Sequence, residues 1–468
     1  MSEIKEINLS EKEAQARHFI LNESVFKVIL KIGLPIAFFQ ILNQLLRVLD
    51  TFMASSIDAV AVSMVTYLGQ MNMIISGLGL GLATGATLKI SQMYGKGDYA
   101  TVRKQISSLF AVVVLLCVVM IVLIIPLATP ILSVANVPEQ FLSSARTYFS
   151  IEFLGMMLMF LNGIYFALER VQGNAKRILV MNIVAMMIRL SFTAFSVYIL
   201  REGILFIALS IVLSQSVILA WGLYHLIGKS EVFTLSLKDV TLNRKMLGPM
   251  LAVSIPIMIE RSAFHVGKVM VNAMIIGVDL LTAGGLSISN LICGVGVGPQ
   301  MGFQDASIPI LAQNRGAQQY KRTLEVFKAL FIINMVQATA FFSPLFMFAR
   351  QTTGLFANHD PVFHEIIYTV HIFDVWSILA LGAYASMLAL LFGLGQTKLT
   401  LFLNFCRIFL FRIPVLWYLQ NFTNMGTRAV GFVMMFSNVA VSLLSIIIGS
   451  ICIKQLCEKH QLSFWGAT

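Results

Sequence analysis

Ser91-Gln92-Met93-Tyr94-Gly95-Lys96-Gly97-Asp98-Tyr99 and Ala312-Gln313-Asn314-Arg315-Gly316-Ala317-Gln318-Gln319-Tyr320 carry one pattern twice, with Gln, Gly and Tyr recurring about 221 residues apart. Working outward, Pro35 returns as Pro256, and Gly77 and Gly81 return as Gly298 and Gly302. After a one-residue insertion, Gly173, Lys176, Leu179 and Asn182 return as Gly395, Lys398, Leu401 and Asn404. The offset is close to half of the 468 residues, which marks a duplicated unit. In a membrane chain, paired repeats point to a transporter with its site between them.

The composition is that of a membrane protein: 58% hydrophobic and 12% charged residues, with a mean hydropathy of +0.84. Apolar runs such as Ile106 to Ala128 and Val430 to Ile453 are long enough to cross a ~30 Å hydrocarbon core as helices. Twelve runs can be placed, beginning near Val25, Val60, Ile106, Gln140, Ile178, Ile204, Leu247, Ala283, Val326, Val362, Leu399 and Val430. Met1 to Asn22 is polar and mixed in charge and does not read as a signal peptide. The five cysteines form neither a CxxC pair nor a disulfide framework.

The net charge of +11 follows topology rather than nucleic acid. With both termini cytoplasmic, inside loops hold Lys89, Lys96, Arg103, Lys104, Arg170, Lys176 and Arg177, while outside loops hold only Arg146, Arg201, Arg350 and Arg428. No compact basic stripe with aromatics appears, so a nucleic-acid partner is not expected. Twelve spans with both ends inside give six per half and equal orientation of the halves. The expected fold is an all-α membrane protein, with twelve transmembrane helices as two parallel six-helix repeats around a central cavity. The expected segments are a cytoplasmic N-terminal stretch 1–24, a lobe 25–228, a polar linker 229–245, a second lobe 246–454 and a cytoplasmic tail 455–468.

Gly77, Gly81 and Gly85 fall on one helix face, as do Gly294, Gly298 and Gly302, and small residues at that spacing let helices approach closely. Pro35 and Pro256 each remove a backbone hydrogen bond early in a span, so they are candidate equivalent bends or hinges.

Charges at membrane depth are costly and therefore functional candidates. The acids are Asp50, Glu152, Glu260, Asp305 and Asp374. The bases are Arg47, Arg189, Arg261, Lys268, Arg407 and Arg412, and His265 and His371 also lie in spans. Asp50, fifteen residues beyond Pro35, can take a proton or coordinate sodium, or pair with Arg47 three residues earlier. Glu260 can bind a cation or pair with a distant arginine, and the span holding Glu260, Arg261, His265 and Lys268 is polar enough to line a cavity. Asp374 is a cavity candidate. Arg189 and Arg412, near mid-membrane, can balance the acids or contact an anionic substrate. No HExxH, Walker-type loop or Ser-His-Asp series appears, so neither an enzyme nor a cofactor is expected, and ATP-driven transport would need a partner chain.

These features resemble the multidrug and toxic compound extrusion (MATE) family, within the superfamily that also holds lipid-linked oligosaccharide flippases. The resemblance rests on Gly33-Leu34-Pro35 leading to Asp50-Thr51-Phe52, on the Ser91 and Ala312 motifs, on Gly173-Asn174-Ala175-Lys176 with Asn182, and on Gly393-Leu394-Gly395-Gln396-Thr397-Lys398. It implies two six-helix lobes around a central cavity and export of organic cations or amphiphiles in exchange for protons or sodium; the chain is expected to work by alternating access, as a monomer in the plasma membrane. Its partners would be a small-molecule substrate and lipid. Asp50 matches the family's first-helix acid and Asn182 a fifth-helix asparagine beside it. Joined with the intramembrane charges read above, these two give an expected coupling set of Asp50, Asn182, Glu260 and Asp374, with Arg47, Arg189, Arg261, His265 and Arg412 expected in the substrate cavity. Two departures stand out: Met186 occupies the place of a second aspartate, and Phe264 that of a seventh-helix glutamate, with Glu260 a turn earlier. The intramembrane arginines fit a cation exporter poorly and keep open a flippase or exporter for an anionic lipid-linked precursor or other anion. A receptor or scaffold without transport is a further alternative.

Overall fold

The structure, a computed structural model, describes residues 9–55, 59–134, 142–200, 205–227, 230–277, 279–357 and 360–464. The side chains of 47–71, 131, 133, 134, 144, 197 and 200 lie outside that description. The described residues form helices without strands. In chain order these begin with α1 (Glu11–Asn22), α2 (Val25–Ser55), α3 (Ala59–Lys96), α4 (Tyr99–Ile124), α5 (Ala128–Val134), α6 (Leu142–Val171), α7 (Ala175–Ala194) and α8 (Leu205–Leu226). There follow α9 (Arg244–Ile276), α10 (Leu280–Gly316), α11 (Tyr320–Met347), α12 (Ala349–Gly354), α13 (Pro361–Asp374), α14 (Ser377–Gly393), α15 (Thr397–Phe405), α16 (Ile413–Phe422) and α17 (Thr427–His460). Among the described residues, eleven helical stretches are long and apolar enough to cross a membrane, and α13 with α14, bent by 41°, gives a twelfth if the pair is one broken span. The chain is thus a multi-pass integral membrane protein.

Local chemistry sets the helix ends. Ser10 and Glu13 form a reciprocal capping box on α1: the Ser10 amide donates to Glu13 Oε2 at 2.9 Å, and the Glu13 amide donates to Ser10 Oγ at 3.4 Å. Asp98, Asp279 and Asp360 accept backbone N–H groups at the starts of α4, α10 and α13. The α6–α7 and α14–α15 turns each place a glycine at φ +73°, Gly173 and Gly395, which are equivalent positions of the repeat. Pro35 and Pro256 both lie inside helices, α2 and α9.

Two compact units emerge: Met1–Leu21 with Leu45–Met258, and Asn22–Gln44 with Ile259–Thr468. In the first, α6 packs against α3, α4, α5, α7 and α8, and Tyr148, Phe149, Phe153, Phe160 and Tyr165 build much of its core. The α1 helix is tied down by Arg17, which donates to the Gly95 carbonyl at 2.9 Å, and by the Tyr94 hydroxyl, which donates to the Glu13 carbonyl at 3.2 Å. In the second unit, α10 packs against α11, α13, α14 and α17. The repeat recurs at atomic scale within each unit. A Cβ on Gly81 would meet Met258 Cα at 2.5 Å in the first, and a Cβ on Gly302 would meet Ala37 Cα at 2.5 Å in the second. Positions 81 and 302 correspond through the repeat, as do 37 and 258. The glycine stripes therefore serve close backbone packing.

Candidate functional site

The second unit encloses a cavity of about 250 Å³ whose lining includes Glu260, Arg261, Lys268, Asp374, Arg407 and Arg412. Three features of the helices bring these groups together. A single turn of α15 carries Thr400 and Asn404 on one face, toward Glu260 of α9. The span between Pro361 and Gly393 breaks at Asp374. The span between Thr397 and Phe422 is interrupted by a π-helical stretch, Cys406–Leu410, which holds Arg407, and by the turn that follows, which ends at Arg412. Interruptions of this kind are common at functional sites, and broken helices at membrane depth occur where they line a cavity.

Both acids are internally satisfied. Glu260, only 2% exposed, accepts from Thr400 Oγ1 at 2.7 Å on Oε2 and from Asn404 Nδ2 at 2.6 Å on Oε1. Asp374 accepts from Ser289 Oγ at 2.9 Å and from Ser377 Oγ at 3.2 Å. Hydrogen bonds to both oxygens of a buried carboxylate offset its desolvation.

The cations are held by neutral groups. Arg412 donates to Ser437 Oγ and to Asn438 Oδ1, both at 3.0 Å. Arg407 Nε donates to the same Asn438 oxygen at 2.9 Å. Asn438 Nδ2 in turn donates to Ser377 Oγ at 2.8 Å, and Ser377 donates to Asp374. The arginines thus reach the acid through two relays rather than by contact. Among the described residues, Arg261, Arg407 and Arg412 form no ion pair. The Arg407 guanidinium lies 5.1 Å from the Phe264 ring centroid and 5.7 Å from that of Tyr384. Arg261 Nε and the Tyr384 hydroxyl are buried with no hydrogen-bond partner.

Several residues named from sequence lie elsewhere. His265 is not in the cavity lining and packs edge-on against Phe264, with ring centroids 5.9 Å apart. Asn182 and Arg189 belong to the first unit: Asn182 Nδ2 donates to the Ile178 carbonyl at 2.8 Å, and Arg189 is in electrostatic reach of Glu152. The side chains of Asp50 and Arg47, and with them any sodium site at Asp50, lie outside the described residues. Among the described residues no three His, Cys, Asp or Glu side chains gather as metal ligands. Sequence reading passed over Thr400, Tyr384, Ser437 and Asn438. Asn404 had a signal, as the second copy of the Asn182 landmark. Ser437-Asn438, a polar pair inside the apolar α17 run, was another.

A MatE family model matches residues 35–195 and 256–418, so its two copies begin at the repeated prolines. A FAD transporter of Shewanella oneidensis is 20% identical over 405 residues, covering 85% of this chain and 89% of that one. The crystal structure of a MATE protein in complex with MaL6 superposes with a TM-score of 0.90 at 16% identity, covering 95% of this chain and 99% of that one. An outward-facing multidrug resistance MATE transporter gives 0.89 at 16% identity, with coverages of 96% and 99%. A Pyrococcus furiosus transporter, described as having a binding pocket of reversed polarity that suggests a different function, gives the same values.

Proposed function

This chain belongs to the MatE family of MATE transporters, and from that premise we propose that it is a secondary active antiporter for an anionic organic substrate. It would work by alternating access in the plasma membrane, as a monomer with both termini cytoplasmic and with lobes 25–228 and 246–454 joined by the linker 229–245. One observation carries the choice of substrate charge. Arg261, Arg407 and Arg412, which form no ion pair among the described residues, line the cavity beside Glu260 and Asp374, and both acids spend their oxygens on neutral donors. An organic cation entering that space meets like charge, whereas a phosphate or carboxylate meets donors. The name of the Shewanella relative, a FAD transporter, supports the same direction, since FAD carries a diphosphate.

Coupling is assigned to Glu260 and Asp374 in the second unit, and to Asp50 with Asn182 in the first. Uptake of a proton or a sodium ion at these groups would change the cavity's charge and so its hold on an anion. Pro35 and Pro256 serve as the hinges. Arg47 and Arg189 are assigned to substrate contact within the first unit. Purified protein in liposomes should move FAD under an imposed pH or sodium gradient, each gradient varied alone, and should not move ethidium. Gradient-driven ethidium flux with no FAD flux would reject the anionic reading and restore the organic-cation exporter.

A further inference from the structure

We propose that the interruption in the Thr397–Phe422 span is a recognition site for a phosphate or carboxylate borne on a flat aromatic ring system, with Arg407 as its specificity-determining residue. The inference rests on the anionic reading above and narrows it to a chemical class.

Arg407 is pre-set for this task. Its Nε is committed to Asn438 at 2.9 Å, which fixes the guanidinium plane. Its two terminal nitrogens make no hydrogen bond among the described residues, so a planar fork of donors is left for a ligand. Arg261 Nε and the hydroxyl of Tyr384, a residue 5% exposed, line the same cavity as buried donors without acceptors. A buried orphan donor costs about 1–3 kcal/mol, so the apo cavity favours a ligand rich in acceptor oxygens.

A simple inorganic anion would use only those donors. The other walls ask for more. Phe264 and Tyr384 present ring surface beside the guanidinium, and Val297, Met301, Leu381 and Leu388 complete an apolar lining. Flat aromatic rings match such a mixture, because they stack on guanidinium planes and on other rings while burying apolar area. The volume of about 250 Å³ lies just below the roughly 300–1,000 Å³ of drug-sized sites, so the cavity takes the ring-and-phosphate end of a ligand rather than a long lipid chain.

The test uses the full chain in nanodiscs, with riboflavin 5′-phosphate as the fluorescent probe. Phenyl phosphate should displace the probe, and glycerol 3-phosphate at the same concentration should not. Riboflavin without its phosphate should bind about tenfold more weakly, as expected for the loss of charge-assisted hydrogen bonds. R407Q should weaken the probe by a similar factor and leave riboflavin unchanged. R407K, which keeps charge but loses the planar fork, should recover only part of the affinity, and F264L should weaken phenyl phosphate. Equal displacement by glycerol 3-phosphate would remove the aromatic requirement while leaving the anionic reading intact. Unchanged probe binding in R407Q or full recovery in R407K would remove Arg407 from its role. Binding of ethidium with none of the phosphates would overturn both readings. If R407Q loses its thermal transition, R407K decides the role of Arg407, since wild-type affinity there removes the need for the planar fork, and the wild-type competition decides the ligand class.

Discussion

Asn404 donates a 2.6 Å hydrogen bond to Glu260, and the carboxylate's other oxygen is taken by Thr400 one turn earlier on α15. The pair joins the seventh and eleventh spans around a carboxylate almost fully removed from water. Replacing Thr400 by Val should leave one oxygen of that carboxylate without a donor, at a cost of about 1–3 kcal/mol. Thermal unfolding in detergent checks this, and Glu260→Gln should keep the fold while abolishing gradient-driven flux. Wild-type flux in E260Q would take Glu260 out of the coupling step.

Asn438 accepts from Arg407 and Arg412 with one oxygen and donates to Ser377 through its nitrogen. Asn438→Leu strips an acceptor from the buried Arg412 and the half-buried Arg407 at once. The expected loss is greater than that of Ser437→Ala, which removes one acceptor from Arg412 alone, and each charged hydrogen bond is worth about 1.5–3 kcal/mol. Unfolding midpoints of the two variants, compared side by side, decide the order.

Gly81 and Gly302 permit backbone-to-backbone approaches at which any Cβ would collide with main-chain atoms. Leu at either position should destabilise by about 1–3 kcal/mol or block transport, because backbone cannot swing aside as a side chain does. Gly248 is the internal control. A Cβ there meets only Arg244 Cγ at 3.9 Å, so Gly248→Ala should be neutral or stabilising by up to about 1 kcal/mol.

Helix α1 offers two polar contacts that can be removed separately. Ser10→Ala removes its cap, worth about 1 kcal/mol, and Arg17→Ala removes its donor to Gly95. Both variants should raise the rate of limited proteolysis within residues 11–22 without lowering the main unfolding midpoint. An unchanged cleavage rate in the double variant would show that other contacts hold the helix.

Asp279 caps α10 from a loop, and hydrogen bonds from the Thr282 hydroxyl and from the Thr282 and Leu281 amides hold its carboxyl below the usual range. A depressed folded-state pKa adds stability above the unfolded value of about 4 and loses it as pH falls through the folded value. The effect is small because the group is exposed to solvent. Asp279→Asn should flatten the part of the pH–stability curve below about pH 4, with little change at neutral pH, where an Asn cap serves nearly as well.

The order of helices was legible because lipid leaves the backbone few choices. An apolar run of sufficient length must become a helix, and the doubled Pro, Gly, Gln and Asn landmarks then set the two copies in register. Asp374 and Arg412 read as mid-span charges, and so they are. What hydropathy averages away is that the helix breaks at each of them. Glu260 read equally as a cation ligand or a partner for a remote arginine, and its actual partners are neutral groups on α15.

From its order of residues alone, this chain committed itself to a membrane, to a duplicated helical design and to a set of costly charges inside it. Folding alone chose the neighbours of each charge. Whether a buried acid balances an arginine or is satisfied by Thr400 and Asn404 depends on contacts between spans some 140 positions apart. Local pattern carries no term for such distances. The gathering of Arg261, Arg407 and Arg412 about one cavity, on which the proposed anionic substrate rests, arises only where those spans meet.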